Sequence, residues 1–357
     1  MRVPTGSLDT FHENTKRWFE RSLGTPTAVQ EAAWPAIASG DHTLVSAPTG
    51  TGKTLAAFLV FIDRLMEMAR QGSLRQELYL IYVSPLRSLA SDIRENLRKP
   101  LEGILREAEL SKAVDGTGSG IERGSGGISH EELLMAAKGP GLRTDQRFET
   151  DRGLENVSRG NQGKRQTGLT VAVRTSDTPQ SERRRMVKSP PHILITTPES
   201  LFLMLTGRSG QSVLRTARWI IIDEVHAMID TKRGAHLSLS LARLDKLCPK
   251  PLQRIGLSAT IDPLETAAQW LSPEPVTIVA PKMHKEVELV VTSPSFEKAP
   301  LKDAAWQEIA ESVYRYCQEA RSVIAFMDAR AYAEKLAYYV NQLGGGGFAR
   351  THHGSIS

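Results

Sequence analysis

Ala47-Pro-Thr-Gly-Thr-Gly-Lys-Thr54 is the most informative segment for the fold, because it stands between an apolar segment and a helical pattern. Thr43-Leu-Val-Ser46 is typical of a buried strand, and residues 54–70 repeat apolar side chains at helical spacing. Backbone N–H groups at the start of such a helix bind phosphate, and Gly50 and Gly52 leave room for it. Ala47 replaces the first glycine of the strict P-loop pattern. The alternative is a glycine turn with an exposed lysine, but the flanking strand and helix favour a P-loop.

The residue types of this loop predict a site for ATP and Mg²⁺. Lys53 would contact the β- and γ-phosphates, and the Thr54 hydroxyl would hold Mg²⁺. The predicted nucleotide-binding residues of the loop are Thr49, Gly50, Thr51, Gly52, Lys53 and Thr54.

An acidic pair follows a second apolar strand and completes the predicted catalytic group. Asp223-Glu-Val-His226 comes directly after Trp219-Ile-Ile-Ile222. We expect Asp223 to hold Mg²⁺ and Glu224 to activate the water that attacks the γ-phosphate, on a strand that neighbours the P-loop strand. An acidic pair alone is often a solvated turn or a helix cap, but a P-loop in the same sheet makes that alternative weaker.

Apolar strands alternate with helical patterns through the first part of the chain, which predicts an α/β, doubly wound parallel sheet. Helices are expected at residues 54–70, 86–105, 236–247 and 263–271. The strand candidates are Thr43–Ser46, Leu78–Val83, Leu169–Val173, His192–Thr196, Trp219–Ile222 and Arg254–Ser258.

The predicted first domain spans residues 1–281 and contains an unusual segment at 113–168. This segment holds 12 of the 28 glycines. Such a composition buries too little apolar surface to offset chain entropy, so we expect a flexible insertion. A basic arm that grips a substrate is the alternative, but its acidic and basic residues are interspersed.

Residues 282–357 restart the strand–helix alternation and then end, which predicts an incomplete second domain. Strands are expected at Glu286–Val291, at Ser322–Met327 and before His352, with helices near 303–319 and 330–343. A half-built sheet would leave exposed edges.

Composition excludes several classes of protein. Apolar residues make up 40% and charged residues 24%, which is typical of a globular chain rather than a disordered or membrane-embedded one. The 45 Lys and Arg residues against 40 Asp and Glu give a net charge of +5, compatible with a polyanionic partner or with an ordinary surface. Two distant cysteines, no signal peptide and no apolar run of membrane-spanning length predict a cytoplasmic protein.

Six short segments, in order, resemble the motifs of superfamily 2 DExH-box helicases, and this resemblance implies a RecA-like P-loop NTPase fold for the first domain. The resemblance implies that Gln30 reads adenine, that Ser84, Arg87 and Thr197 contact a nucleic-acid backbone, and that His226, Ser258 and Thr260 couple the phosphate state to domain closure. Each alone would more simply be a helix cap, a surface charge or a hydrogen-bonded core residue. The segments are Pro26-Thr27 with Gln30, Ala47–Thr54, Ser84-Pro-Leu-Arg87, Thr197-Pro-Glu199, Asp223–His226 and Ser258-Ala-Thr260.

The amino-acid sequence around these segments is similar to the Lhr (large helicase-related) family over residues 8–112 and 169–357. Membership implies an ATP-driven motor on single-stranded DNA that unwinds DNA or an RNA–DNA hybrid in DNA repair; no protein partner is indicated. The segments that carry the resemblance are Trp18-Phe19, Tyr82-Val-Ser-Pro-Leu86, Thr196-Thr-Pro-Glu-Ser-Leu201, Lys232-Arg-Gly-Ala-His-Leu237 and His352-His-Gly-Ser355.

The family places its arginine finger in the later part of the second domain, beyond the segments recognised here. Losing such a finger costs about 10³ to 10⁵ in rate in related machines. We therefore expect the chain to bind Mg-ATP, to hydrolyse it poorly and not to unwind. A non-helicase P-loop ATPase and an inert nucleic-acid-binding fragment are the alternatives.

Overall fold

The computed structural model describes residues 6–85, 87–116, 168–282, 288–293 and 303–352. The chain divides into two compact units, Met1–Met283 and His284–Ser357. Most of the predicted insertion, residues 117–167, lies outside the described residues.

A seven-stranded sheet organises the first unit, and every strand pair described in it is parallel. The strand order is β3-β4-β2-β5-β6-β1-β7. This confirms the predicted α/β class. The strands are β1 (His42–Ser46), β2 (Leu80–Val83), β3 (Val171–Arg174), β4 (Ile193–Thr196), β5 (Trp219–Ile222), β6 (Gln253–Ser258) and β7 (Val276–Val279).

Alternate residues of the central strands feed two separate apolar cores, one on each face of the sheet. Val45 and Ile221 belong to the first core, whereas their sequence neighbours Leu44 and Ile222 belong to the second. Because both faces are covered, these strands consist almost entirely of apolar residues rather than alternating ones. The helix after β1 packs in the first core, and the helix before β6 packs in the second.

Helices cover both faces of the sheet. The helix of residues 54–70 is confirmed, and the helix predicted at 86–105 continues to residue 116, so that the first four residues of the predicted insertion are helical. The helices of the first unit are α1 (Glu13–Leu23), α2 (Ala28–Ser39), α3 (Lys53–Arg70), α4 (Arg87–Gly116), α5 (Gln180–Lys188), α6 (Pro198–Thr206), α7 (Arg208–Leu214), α8 (Lys232–Leu247) and α9 (Leu264–Leu271).

The second unit contains α10 (Asp303–Glu319) and α11 (Arg330–Gly344), close to the two helices predicted there. Trp306 and Ala310 of α10 pack with Leu336 and Val340 of α11. The helices form because this apolar stripe gives each of them a partner.

The strands predicted in the second unit are wrong where it is described. No strand forms in three segments where one was predicted, residues 288–291, 322–327 and 349–352. Residues 286–287 of the first of these predicted strands lie outside the described part. A strand needs a hydrogen-bonded neighbour, and no described segment of this unit supplies one. Phe326 and Ile324 therefore remain 89% and 77% exposed.

No helix in the described ranges is both long enough and apolar enough to cross a membrane.

Candidate nucleotide site and nucleic-acid edge

The loop between β1 and α3 turns through two glycines in left-handed backbone conformations. Gly50 and Gly52 have φ values of 81° and 84°, and Gly52 is the N-cap of α3. Residues with a Cβ rarely adopt this left-handed region, which explains why glycine stands at both positions. Thr54 lies in the first turn of α3, and Thr49 is exposed beside Gly50. The first N–H groups of α3 therefore open toward the loop.

Lys53 folds back over the loop. Its ammonium donates hydrogen bonds to the carbonyls of Ala47 at 2.5 Å and Pro48 at 2.8 Å. Thr51 closes the same turn through a 2.8 Å bond from its hydroxyl to the Pro48 carbonyl. Burial lowers the pKa of Lys53, and the carboxylates of Glu224 and Asp223 oppose that shift. The lysine of the loop and the acidic pair thus meet in one electrostatic site.

Gln30 and Thr27 brace the back of the P-loop. The Gln30 side-chain carbonyl accepts a 2.9 Å bond from the Thr27 N–H, and the Thr27 hydroxyl donates to the Thr51 carbonyl at 2.9 Å. A Cβ added to Gly52 would lie 2.7 Å from the Gln30 Nε2 atom. Gln30 is 4% exposed. The side chain expected to read adenine is therefore a capping and packing group in this structure.

Asp223 is held at the end of β5 by donors on both carboxylate oxygens. The Glu224 N–H donates to Oδ1 at 3.0 Å, and the Tyr82 hydroxyl of β2 donates a short bond to Oδ2. Burial raises the pKa of Asp223, while the Tyr82 bond lowers it. Burial also raises the pKa of Tyr82, so that this phenol stays a donor. Phe58 of α3 stacks on the Tyr82 ring at 4.9 Å between centroids.

Glu224 occupies a left-handed backbone conformation with φ of 51°. This is uncommon for a residue with a side chain and typically costs about 1–3 kcal/mol, so such residues cluster at functional sites. The Glu224 N–H is bound to Asp223, and its Oε2 lies 3.4 Å from the His226 Nδ1 atom. The strained turn points the two carboxylates in different directions.

His226 connects this turn to the end of β6. Its Nδ1 atom accepts the Ala259 N–H at 3.1 Å and lies 3.4 Å from the Ser258 hydroxyl. Because Nδ1 uses its lone pair on an amide, a neutral ring carries its proton on Nε2, and the Glu224 contact is not a hydrogen bond. Ser258 is fully buried, while Thr260 is exposed. His226 and Ser258 are therefore in contact, and Thr260 is not part of that contact.

The predicted adjacency of the P-loop and acidic strands is wrong by one strand. β6 lies between β1 and β5, and pairs with both of them. The Ala47 N–H donates to the Ser258 carbonyl at 3.2 Å, so Ser258 touches the P-loop as well as His226. The loop, the acidic pair and the serine still share one edge, because the carboxyl ends of parallel strands lie together.

The residues predicted to contact nucleic acid continue along the same edge. Ser84 and Thr197 follow β2 and β4, which are neighbours, and the Ser84 N–H donates to the Thr196 carbonyl at 2.9 Å. Both side chains are buried, and the Thr197 hydroxyl caps α6 by accepting the Ser200 N–H at 3.4 Å. Arg87 begins α4, and its side chain lies outside the described residues. The ends of β2 and β4 thus bring Ser84 and Thr197 close together. The Thr197 hydroxyl is used as the N-cap of α6.

Sequence reasoning names Tyr82 and Thr27 in segments that resemble the family but assigns neither of them a role in the site. The position of Tyr82 in β2, which pairs with β5, is the feature that brings it to Asp223. The spacing from Thr27 to Gln30 is the signature of a capping box, which was available in the sequence.

A family model described as "DEAD/DEAH box helicase" matches residues 27–125 and 155–268. The chain is 39% identical to an "Lhr helicase/ probable uracil glycosylase" of Mycolicibacterium smegmatis over 98% of this chain and 22% of that protein. It is 35% identical to an "ATP-dependent helicase Lhr-Core" of Methanocaldococcus jannaschii over 96% of this chain and 34% of that protein. It thus spans about a fifth to a third of these relatives.

Solved structures agree with the fold. The chain superposes with a TM-score of 0.69 and 39% identity on the Mycobacterium smegmatis helicase Lhr bound to ssDNA and AMP-PNP, covering 95% of this chain and 37% of that one. It matches the helicase MrfA with a TM-score of 0.62 and 19% identity over 97% of this chain and 43% of that one, a likeness of fold alone.

Proposed function

The chain belongs to the DEAD/DEAH box helicase family, and from that membership we propose that it is the ATP-binding part of an Lhr-type, superfamily 2 DNA helicase or translocase. One observation carries the proposal: the P-loop after β1 and the acidic pair Asp223 and Glu224 after β5 lie at the same carboxyl edge of the parallel sheet, with only β6 between the two strands. The proposal includes a cytoplasmic location and a role in DNA repair.

The residues present fit Mg²⁺ together with ATP. Asp223 offers a buried carboxylate and Thr54 a hydroxyl at the start of α3, both hard oxygen ligands of the kind Mg²⁺ prefers. Within the described residues no group of three or more His, Cys, Asp and Glu side chains is placed to hold a metal, which suits an ion held largely by phosphate and water. When bound, Mg²⁺ would neutralise charge on the β- and γ-phosphate oxygens.

The side chains around this site divide the work of hydrolysis. Lys53 leaves the two loop carbonyls and donates to the β- and γ-phosphates, while the N–H groups from Thr49 to Thr54 cradle them. Glu224 orients and deprotonates the attacking water. The Ala259 amide at the end of β6 holds the His226 ring in place, and the His226 ring connects the end of β6 to the turn that carries Glu224.

The nucleic-acid partner is single-stranded DNA or an RNA–DNA hybrid. Ser84, Arg87 and Thr197 lie after the ends of β2 and β4 and would contact sugar-phosphate oxygens, using backbone N–H groups where the hydroxyls are buried. The Ser258 carbonyl accepts the Ala47 N–H of the P-loop and its hydroxyl lies 3.4 Å from His226 Nδ1, which suits a coupling role. Thr260 joins that role from an exposed position, and Gln30 senses adenine from behind the P-loop.

This chain should bind Mg-ATP and single-stranded nucleic acid but turn ATP over slowly and not separate strands. The described residues of the second unit contain two helices and no strand, and the chain spans about a fifth to a third of the relatives reported above; both facts support weak activity of this chain by itself. The test measures fluorescent ATP binding, ATP turnover with and without single-stranded DNA, and strand separation by the purified chain. Rapid DNA-stimulated turnover with unwinding would refute the weak-activity part.

Variants separate the remaining alternatives. Lys53→Ala should abolish ATP binding, whereas Glu224→Gln should retain binding and lose the residual turnover. Unchanged adenine selectivity in Gln30→Ala would favour a P-loop ATPase that is not a helicase. DNA binding with no ATP binding would leave an inert nucleic-acid-binding fragment.

A further inference from the structure

An ion pair joins the helix that begins after Thr197 to the helix that follows the acidic turn. The Arg233 Nε atom donates to Glu199 Oε1 at 2.5 Å, and its Nη2 atom donates to Oε2 at 3.0 Å. Arg233 lies in the first turn of α8, and Glu199 lies in the first turn of α6, two residues after Thr197. A planar guanidinium and a carboxylate that meet through two parallel bonds fix each other's orientation. The pair therefore sets the position of one helix start relative to the other.

Short hydrogen-bonded turns connect Glu224 to the start of α8. The Ala227 N–H donates to the Glu224 carbonyl at 2.8 Å. The Thr231 N–H donates to the Met228 carbonyl at 3.2 Å, and the Thr231 hydroxyl caps α8 by accepting the Gly234 N–H at 2.9 Å. A Cβ added to Gly234 would lie 1.9 Å from the Met228 carbonyl, so these turns are tightly packed. A change in the backbone at Glu224 therefore has little room to be absorbed before it reaches α8.

Glu199 is held from the α6 side as well as by the arginine. Burial acts to raise the pKa of Glu199, but the Arg233 bond and charge, together with the Thr197 hydroxyl, lower it below its ordinary value. The carboxylate also lies at the amino end of α6, where the helix dipole favours a negative charge. Thr197 is 2% exposed and is the N-cap of this helix. Glu199 therefore stays ionised, in contact with both the cap of α6 and the start of α8.

Further contacts keep α6 and α8 packed away from the ion pair. The Phe202 ring of α6 lies 4.5 Å from the His236 ring of α8, measured between centroids. The Arg243 guanidinium lies 5.7 Å from the Phe202 ring and donates to the Leu205 carbonyl at 3.1 Å. These contacts remain when the ion pair is removed. A variant at the pair can therefore lose the alignment of the two helix starts and keep the fold.

We propose that Arg233 is a positioning residue: through Glu199 it connects the state of the acidic turn to the nucleic-acid contact at Thr197. The proposal rests on the proposed function, because both a nucleotide and a strand must bind. When a bound nucleotide moves Glu224, the start of α8 moves with it, and the bidentate pair carries that movement to the first turn of α6. The two side chains are 37% and 57% exposed, and an exposed ion pair contributes little to stability. Its effect is therefore expected in the coupling between the two ligands rather than in the fold.

The test measures the affinity of the chain for a labelled single-stranded oligonucleotide by fluorescence anisotropy, with and without AMP-PNP and Mg²⁺. The ratio of the two affinities is the coupling between the sites, and in the parent chain it should differ from one by about fivefold or more. Arg233→Gln should move this ratio toward one by about threefold to fivefold, the most that a partly exposed pair contributes. It should leave the affinity for the oligonucleotide alone and for AMP-PNP alone unchanged.

A double-mutant cycle tests whether the two residues act as one pair. Glu199→Gln should change the ratio as Arg233→Gln does, and the double variant should change it no further, because each substitution removes the same pair. Arg233→Lys should give an intermediate ratio, since lysine keeps the charge and loses the planar fork. Effects of the two single variants that simply add would overturn the proposal.

Arg218→Gln is the matched control. Arg218 is 51% exposed and pairs with Glu77 at 3.3 Å, before the starts of β5 and β2 at the opposite edge of the sheet. Its loss removes a comparable ion pair that joins neither site, so the ratio should stay at the parent value. The thermal unfolding midpoint shows that each variant remains folded.

The outcomes distinguish this inference from the function on which it rests. If the parent chain binds both ligands and Arg233→Gln keeps the parent ratio, or if the parent ratio is one, the inference is overturned and the proposed function stands. If Arg233→Gln weakens the binding of each ligand alone and lowers the unfolding midpoint, the pair serves only the fold and the inference is again overturned. If the parent chain binds neither ligand, both fail.

Discussion

Replacing Tyr82 with phenylalanine should weaken Mg²⁺-dependent nucleotide binding while sparing the fold. The substitution removes one oxygen, and with it one of the two donors to the buried Asp223 carboxylate; the Glu224 N–H at 3.0 Å remains. Asp223 is 9% exposed, so water has little access to replace the lost donor. The stacked contact of the ring with Phe58 is retained, because phenylalanine has the same ring.

The size of the effect follows from the charge on the acceptor. A hydrogen bond to a buried charged group contributes about 1.5–3 kcal/mol, and 1.4 kcal/mol is a factor of ten. Partners that orient a metal ligand typically change metal affinity by about 10- to 100-fold when removed. We therefore expect Tyr82→Phe to raise the Mg²⁺ concentration needed for half-maximal nucleotide binding by about tenfold or more.

The assay titrates Mg²⁺ into the chain with a fluorescent ATP analogue, which reports binding without turnover. Tyr79→Phe is the control, because the Tyr79 hydroxyl is also bonded in the interior but accepts the Arg75 N–H at 3.0 Å, before the start of β2. Tyr79→Phe should leave the Mg²⁺ dependence unchanged. A Tyr82→Phe curve within about twofold of the parent, with nucleotide binding intact, would show that the phenol does not position Asp223.

Three further substitutions test the packing and electrostatics of the first unit. Gly52→Ala should abolish nucleotide binding in the same titration, because φ is 84° at this position and the added Cβ would lie 2.7 Å from the Gln30 Nε2 atom. Nucleotide binding near the parent level would contradict this. Gly234→Ala should destabilise the chain by about 1–3 kcal/mol in urea unfolding, because its Cβ would lie 1.9 Å from the Met228 carbonyl, whereas Gly207→Ala has nothing within 4 Å and should stay within about 0.5 kcal/mol. Asp63→Asn tests the pH dependence of stability. Burial raises the pKa of Asp63 above its ordinary 3.8, so the folded state binds this proton more tightly than the unfolded state. The stability that the carboxyl contributes therefore falls as pH rises through the raised pKa. The free energy of unfolding of the parent minus that of the variant should therefore decrease from about pH 4 to pH 7, and a flat or rising difference would refute the assignment.

Strands β1 to β6 and helices α3, α4, α8 and α9 of the first unit could be predicted because their signals are local. Unbroken apolar runs such as Ile193–Thr196 and Trp219–Ile222 are typical of strands buried on both faces, and the apolar stripe of α3 repeats at helical spacing. β7 was missed because it lies at the rim of the sheet, where Thr277 and its neighbours face partly outward and the apolar run is broken. The second unit shows the opposite error, since Ser322–Met327 has the composition of a strand but no described partner.

The local chemistry of the site can be read from the amino-acid sequence: glycines at the two left-handed positions of the P-loop, a lysine and threonine at the start of α3, and an acidic pair after β5. These follow from neighbours along the chain. Which groups distant in the sequence come into contact depends on the order and pairing of the strands. The pairing of β2 with β5 brings Tyr82 to Asp223, the insertion of β6 brings Ser258 between the P-loop and His226, and the pairing of β3 with β4 sets Arg174 beside Thr196. Strand order and register create these contacts, because a side chain's partners across a sheet are set by hydrogen-bonded neighbours far away in sequence.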